Sequence, residues 1–305
     1  MVKNIHFILP GGGVRGSFQA GFLYELFSKY GESFNVYKID GTSVGSINGI
    51  ATILGEYEIL KDTWLNIKNI NDFFGNWSNA PVFGTLSNLY HGFYNSGIYN
   101  NQKLKNKLVE NLENKLEKTP KDVLEKYSCV VTNVSNASIK YVDATDPNIF
   151  SYVTASASPW VVTNPLKIDD VIYTDGGVLE TYPTKNIRLS GADMIIIVGF
   201  DQEVVKFEEP DCSNLLFFLA TLLDIARFNS VNSEIIMNYV KDGTCLPITN
   251  PMKCLFTDFD NYTIKRGFEQ GQDAAEQFYK TYLQNRLTDK TFVIPESNWN
   301  TDSNF

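Results

Sequence analysis

Short apolar runs and longer periodic stretches alternate through the first two hundred residues of this chain. Ile5-His6-Phe7-Ile8-Leu9 is a compact apolar run that predicts a buried strand, and at Pro10 it gives way to glycines. Phe22, Leu23, Leu26 and Phe27 then recur at helical spacing. A second strand is predicted over Val36-Tyr37-Lys38-Ile39-Asp40, followed by a helix of small residues after Ser43 and further helical spacing from Ile53 to Leu65. Leu104, Leu108, Leu112 and Leu116 recur every fourth residue among lysines and glutamates, which predicts an amphipathic surface helix with Asn100 as cap and Thr119-Pro120 as stop. Residues 127–134 and 139–142 read as two strands around a Ser-Asn-Ala-Ser turn. A short helix of small residues, ended by Pro159, precedes a strand that closes on Asp175. Met194-Ile195-Ile196-Ile197-Val198-Gly199-Phe200 is almost wholly apolar, as expected of a strand buried on both faces. Alternation of this kind predicts an α/β fold: a three-layer sandwich with a largely parallel central sheet flanked by helices.

Beyond residue 200 the pattern changes. An apolar helix is predicted from about Leu215 through Ile235-Ile236. It lacks the Lys/Arg richness of interfacial helices, so a core or subunit-interface role is favoured over a membrane-docking lid, and a homo-oligomer stays open. A last amphipathic helix spans 264–287, and the polar tail from Pro295 to Phe305 is expected to be loose. The whole chain, 1–305, is expected to be one domain, with chemistry-bearing motifs within 5–200 and a helical C-terminal part over 201–305.

Composition narrows the classes. A hydrophobic fraction of 43% with 13% aromatics indicates a sizeable core, and a net charge of -9 argues against a nucleic-acid partner. That charge does not argue against transient membrane-surface contact through a local apolar patch. No stretch reaches the roughly 18 consecutive apolar residues of a membrane-spanning helix, and the N-terminus is unlike a signal peptide, so a cytoplasmic location is expected. Cys129, Cys212, Cys245 and Cys254 form no C-x-x-C pair and only two histidines accompany them; no metal and no cofactor are expected, and reduced thiols are favoured over a Cys245–Cys254 disulfide.

Gly41-Thr42-Ser43-Val44-Gly45, between a strand and a helix, has the context of a nucleophile elbow, with Ser43 facing the positive end of the following helix. A βα turn containing Gly and Ser is the plainer alternative. Upstream, Gly11, Gly13 and Gly16 match G-x-G-x-x-G, and Asp40 ends the next strand where a dinucleotide fold places its ribose-binding acid. The same loop also suits another chemistry, since consecutive glycines let backbone N–H groups converge on an oxyanion. A serine elbow beside the loop favours the second reading. His6 precedes Ser43 inside a strand and His91 sits in an aromatic segment, so neither fits the chain order of a Ser-His-Asp triad. That leaves Asp175, in Asp175-Gly176-Gly177, as the strongest candidate base; a partly desolvated carboxylate is basic enough for the role if an oxyanion hole carries much of the barrier. Between residues 73 and 94, Phe73, Phe74, Trp77, Phe83, Tyr90, Phe93 and Tyr94 suggest either a cap lining an acyl groove or, more commonly, core packing.

Four segments in order now resemble the patatin-like phospholipases: Gly11-Gly12-Gly13-Val14-Arg15-Gly16 with Gly21, Gly41-Thr42-Ser43-Val44-Gly45, Ala155-Ser156-Ala157-Ser158-Pro159, and Asp175-Gly176-Gly177. Gly97-Ile98-Tyr99 also looks like the family, whereas Glu180-Thr181-Tyr182-Pro183 departs from it where Asn often precedes the proline. The resemblance implies a lipid acyl hydrolase on an α/β sheet, with Ser43 as nucleophile and Asp175 as base. It further implies an oxyanion hole from Gly11, Gly12 and Gly13, with Arg15, Gly16, Gly41, Gly45, Gly176 and Gly177 in support, and membrane lipids as substrates. An acyltransferase with the same dyad and a non-catalytic lipid-binding protein are the alternatives.

Overall fold

In the computed structural model, which describes residues 2–75, 97–200, 221–222, 225 and 234–284, ten strands occur. They are β1 (Lys3–Leu9), β2 (Phe34–Thr42), β3 (Gly97–Tyr99), β4 (Tyr127–Asn133), β5 (Ser138–Asp143), β6 (Val161–Thr163), β7 (Leu166–Ile168), β8 (Val171–Asp175), β9 (Met194–Phe200) and β10 (Cys245–Thr249). Eight of them form one sheet in the order β10-β9-β1-β2-β4-β8-β7, with β5 also on β4; β3 and β6 pair separately. From β10 to β4 every neighbour is parallel, and β5, β8 and β7 join antiparallel. This is the expected α/β sandwich with a largely parallel sheet.

Side chains alternate across this sheet as the period of two requires. Ile5, Phe7 and Leu9 of β1, with Ile196 and Val198 of β9, point into the larger core. There they meet α1 (Gly16–Tyr30), α2 (Val44–Ile53), α3 (Tyr57–Leu65) and the Asn261–Phe278 helix, whose Phe278 lies 5.8 Å from Phe22 between ring centres. Ile8, Ile195 and Ile197 point the other way, into a smaller core closed by Tyr182, Ile187 and Ile236. The Gln102–Lys118 helix buries Leu104, Leu108 and Leu112 as its spacing predicts, and Asn100 accepts the Gln102 N–H through its side chain at 3.0 Å.

One expectation needs correction. The region 201–305 is not only helical: β10 extends the main sheet beside β9. Pro247 in its middle hides the strand from pattern reading, because proline removes a ladder donor. Among the described strands β10 is the edge of the sheet, where that donor is not needed. The predicted 215–236 helix lies almost entirely outside the described residues, as do the 295–305 tail, His91, Cys212 and most of the aromatic 73–94 segment. Phe73 and Phe74 are described and are buried, Phe73 against Trp64 and Phe259, so for these two the core-packing reading holds. Among the described residues no helix is long and apolar enough to cross a membrane.

Candidate active site

Strand pairing on β4 explains how Ser43 and Asp175, 132 residues apart, come together. A strand has two hydrogen-bonding edges, and β5 occupies one of them from Ser128 to Asn133. The other edge is shared: β2 pairs with it up to Thr42 opposite Val130, and β8 runs back along it to end with Asp175 opposite Val131. Two strands thus approach head to head and stop at consecutive residues of β4. Both chains must leave the sheet at once. The first does so through Ser43, whose φ of 56° and ψ of -127° lie in a strained region for a non-glycine residue, and enters α2. The second turns into Gly176-Gly177, where Gly176 crosses so close above the Val130 carbonyl that a Cβ would not fit.

The Ser43 hydroxyl donates to Asp175 Oδ2 at 2.7 Å. Asp175 is almost fully buried; its other oxygen accepts the Gly177 N–H at 2.7 Å, and its own backbone is pinned by Asp175 N–H to Ser158 O (3.1 Å) and by Thr132 Oγ1 donating to Asp175 O (2.9 Å). On the serine side, Ser156 acts as a clasp. Its hydroxyl accepts the Ser43 N–H at 2.9 Å and donates to Val130 O at 2.6 Å. Ser46 Oγ donates to Ser43 O at 2.6 Å. The strained elbow is therefore held at its amide and at its carbonyl.

The glycine loop follows β1 and rises beside Ser43: a Cβ on Gly11 would lie 3.0 Å from that of Ser43. Its amides are not equivalent. Gly11 N–H donates to Thr181 O at 3.1 Å, which takes it away from the three-amide oxyanion hole expected from the motif. Thr181 belongs to the segment that departs from the family pattern, and that segment is tied to the elbow as well, Thr42 Oγ1 donating to Glu180 O at 3.1 Å. Gly13 has a φ of 56°, the left-handed region, and abuts the Phe256 backbone, whose carbonyl accepts the Val14 N–H at 2.9 Å. Arg15 is buried and donates through Nη2 to the Cys254 carbonyl at 2.6 Å, so it ties the loop to the C-terminal region. Gly16 nestles against Val44 and Trp64, and its carbonyl accepts from Asn48 Nδ2 at 2.9 Å. Gly41 and Gly45 pack closely where the elbow crosses itself and β1. Asn48 also accepts from Trp64 Nε1 at 2.8 Å, locking α2 to the loop.

Several of these partners carry no recognisable signal in the sequence. Ser156 sits inside a segment marked by the family resemblance, but Asn48, Thr181, Cys254 and Phe256 act through backbone or amide contacts that no spacing rule singles out. The dinucleotide reading loses its acid. Asp40 is fully buried on the other face of the sheet, bonded to His6 Nε2 at 2.9 Å and to Asn186 Nδ2 at 3.0 and 3.1 Å, and presents no oxygen to a ribose. His6 Nδ1 in turn meets Ser190 Oγ at 3.1 Å, remote in the fold from the elbow. Cys129 and Cys245 are buried cysteines outside any disulfide among the described residues.

Comparison with known proteins adds the family. A model of the patatin-like phospholipases matches residues 7–187. A search of curated proteins finds no match. Among solved structures, VipD from Legionella pneumophila superposes with a TM-score of 0.52 at 13% identity, over 92% of this chain and 67% of that one, a likeness of fold alone. The family match takes in the glycine loop, the serine elbow and the strand ending in Asp175, and it spans well over half of the sequence: the chain belongs to the patatin-like phospholipase family.

Proposed function

We propose that this protein is a serine-dependent lipid acyl hydrolase that cleaves acyl esters of membrane lipids. Family membership points to lipid hydrolysis in general. The observation that carries the specific reading is the direct 2.7 Å hydrogen bond from Ser43 Oγ to Asp175 Oδ2 on a positive-φ elbow. In this reading Ser43 Oγ attacks the ester carbonyl while its proton passes to Asp175. The carbonyl oxygen becomes an oxyanion that accepts from the Gly12 and Gly13 amides, with the N-terminal end of α2 adding favourable field. Collapse of the tetrahedral intermediate expels the alcohol, which takes the proton back from Asp175, and leaves an acyl-enzyme on Ser43. Water then attacks, giving its proton to Asp175, and the free acid leaves as Ser43 is regenerated. Every step of this scheme uses side chains and backbone amides of the chain together with water.

A fluorophosphonate probe tests the nucleophile: wild type is expected to label at Ser43, and Ser43→Ala not at all. Asp175→Asn is expected to fold normally and lose at least about a hundredfold in esterase rate, the usual scale of a general base. Labelling that persists in Ser43→Ala, or full activity in Asp175→Asn, refutes the assignment.

A further inference from the structure

Large apolar side chains exposed singly on a surface need no explanation, but clustered ones do. Among the described residues eleven are exposed, and five of these lie on β8 or on the segments joined to it: Val134, Trp160, Ile172, Val178 and Leu179, all between 42% and 51% exposed. Their positions follow from the backbone. Val178 ends the 3-10 turn Gly176–Val178 that follows Asp175, and Leu179 comes directly after it. Trp160 comes two residues after Ser158, whose carbonyl accepts the Asp175 N–H at 3.1 Å. Ile172 is three residues before Asp175, about 10 Å along the strand, and its carbonyl accepts the Val134 N–H at 2.9 Å. Since β8 descends onto the dyad from beyond the carboxyl end of β2, Ile172 and Val134 stand out past Ser43 on the side where the parallel strands end.

We infer that these five side chains form a collar that docks the protein on a lipid bilayer and presents the Ser43–Asp175 site to lipids within it. This inference rests on the lipid acyl hydrolase reading above and deepens it. A tryptophan among aliphatics suits the boundary between headgroups and acyl chains, where an apolar ring with a polar N–H is favoured. The charge around the collar specifies the surface further. Lys167, opposite Ile172 in the β7–β8 register, is paired with Asp170 at 2.7 Å, and the whole chain carries a net charge of -9. Lys140, near Tyr173 and so beside Ile172, is half-buried and donates to the Tyr152 hydroxyl at 2.7 Å. Against a net charge of -9 that one lysine does not favour an anionic leaflet, so the fitting surface is zwitterionic and the binding is driven by apolar burial.

The test is flotation with phosphatidylcholine vesicles, performed in the full-length Ser43→Ala protein so that no lipid is consumed. The Ser43→Ala protein is expected to float. Adding Trp160→Ser is expected to weaken partitioning about tenfold or more and Leu179→Ser several-fold, from the apolar area each removes. Trp160→Phe restores most of the binding, and Leu189→Ser, at an exposed site outside the collar, leaves it unchanged. Raising the salt does not release the protein, and adding anionic lipid does not strengthen binding. The inference is overturned if the two serine variants float like their parent, if salt releases the protein, or if sedimentation shows that they dissociate a dimer, which would make the collar an interface between copies. Hydrolysis of a soluble short-chain ester by the wild-type protein is measured separately. Flotation without that activity refutes the hydrolase reading, whereas activity without flotation refutes the collar.

Discussion

Replacing Ser156 by alanine isolates the contribution of the clasp that holds the elbow. Ser156 is fully buried and touches no reacting atom; its hydroxyl bridges the Ser43 N–H and the Val130 carbonyl at 2.9 and 2.6 Å. Alanine strands both groups. The Val130 carbonyl is buried and bears a cost of about 1–3 kcal/mol, while the Ser43 amide is half-buried and open to partial rescue by water, so about 2 kcal/mol in total is expected. For a chain of this size that lowers Tm by about 4 °C. The larger consequence is kinetic. With its amide released, the strained φ of 56° at Ser43 relaxes, and the hydroxyl drifts from the line between Asp175 and the glycine amides. A displacement near 1 Å costs on the order of a hundredfold. The assay is steady-state hydrolysis of a soluble ester alongside thermal melting: kcat is expected to fall about a hundredfold with KM little changed, and fluorophosphonate labelling to slow in parallel. A Ser156→Ala enzyme that melts about 4 °C lower but keeps its kcat would show that the clasp supports the fold alone, and the positioning argument would be wrong.

Two further outcomes follow from buried groups away from the elbow. Asp40→Ala removes the acceptor shared by His6 and Asn186 in a fully buried setting and is expected to cost about 3–5 kcal/mol in urea unfolding, whereas the double variant His6→Phe with Asp40→Leu recovers part of that loss because fewer polar groups are left unpaired. Equal stability of Asp40→Ala and wild type would refute it. Thiol reactivity is ordered by burial: desolvation pushes Cys129 well up, and Cys245 is pushed up to about 12 by burial and then by Asp242. Both stay protonated thiols at pH 8, so iodoacetamide followed by peptide mass spectrometry should leave Cys129 and Cys245 unmodified in the folded protein and alkylate them once it is unfolded in urea. Rapid modification of Cys129 or Cys245 in the folded protein contradicts the buried placement.

How much of this was legible in the sequence depends on what each residue does. The β-branched run at 194–200, the leucine spacing at 104–116 and the glycine-flanked Ser43 all announce themselves, because periodicity and turn chemistry are local. The pairing of Ser43 with Asp175 follows in the sequence only from the elimination of histidine and from resemblance. No local rule can supply it, since it depends on β2 and β8 sharing one edge of β4. The same limit explains the two departures. β10 is hidden by a proline that only an edge position tolerates, and the Gly11 amide is claimed by Thr181, a contact across 170 residues of chain that a count of consecutive glycines cannot foresee. The sequence pattern marks where backbone N–H groups are free to converge, and tertiary structure decides which of them remain so.

The head-to-head meeting of two strands also accounts for the absence of an imidazole from the proposed chemistry. In a triad the acid stands one ring away from the nucleophile, and the histidine both bridges that gap and carries the proton. Here β2 and β8 stop at adjacent residues of β4, and the carboxylate lies in direct contact with the hydroxyl at 2.7 Å. That spacing has no room for a ring. The described histidine, His6, is committed to Asp40 on the opposite face of the sheet, in the smaller core's layer beside Ile187 and Ser190. Glycine next to each strand end follows from the same constraint, because each chain must turn away within one residue of the other. The Ser43–Asp175 contact is thus a consequence of topology: once β8 runs antiparallel into the end of β2, an acid at its last position meets whatever residue occupies the elbow, and in the proposed chemistry a serine there needs no third group to pass its proton on.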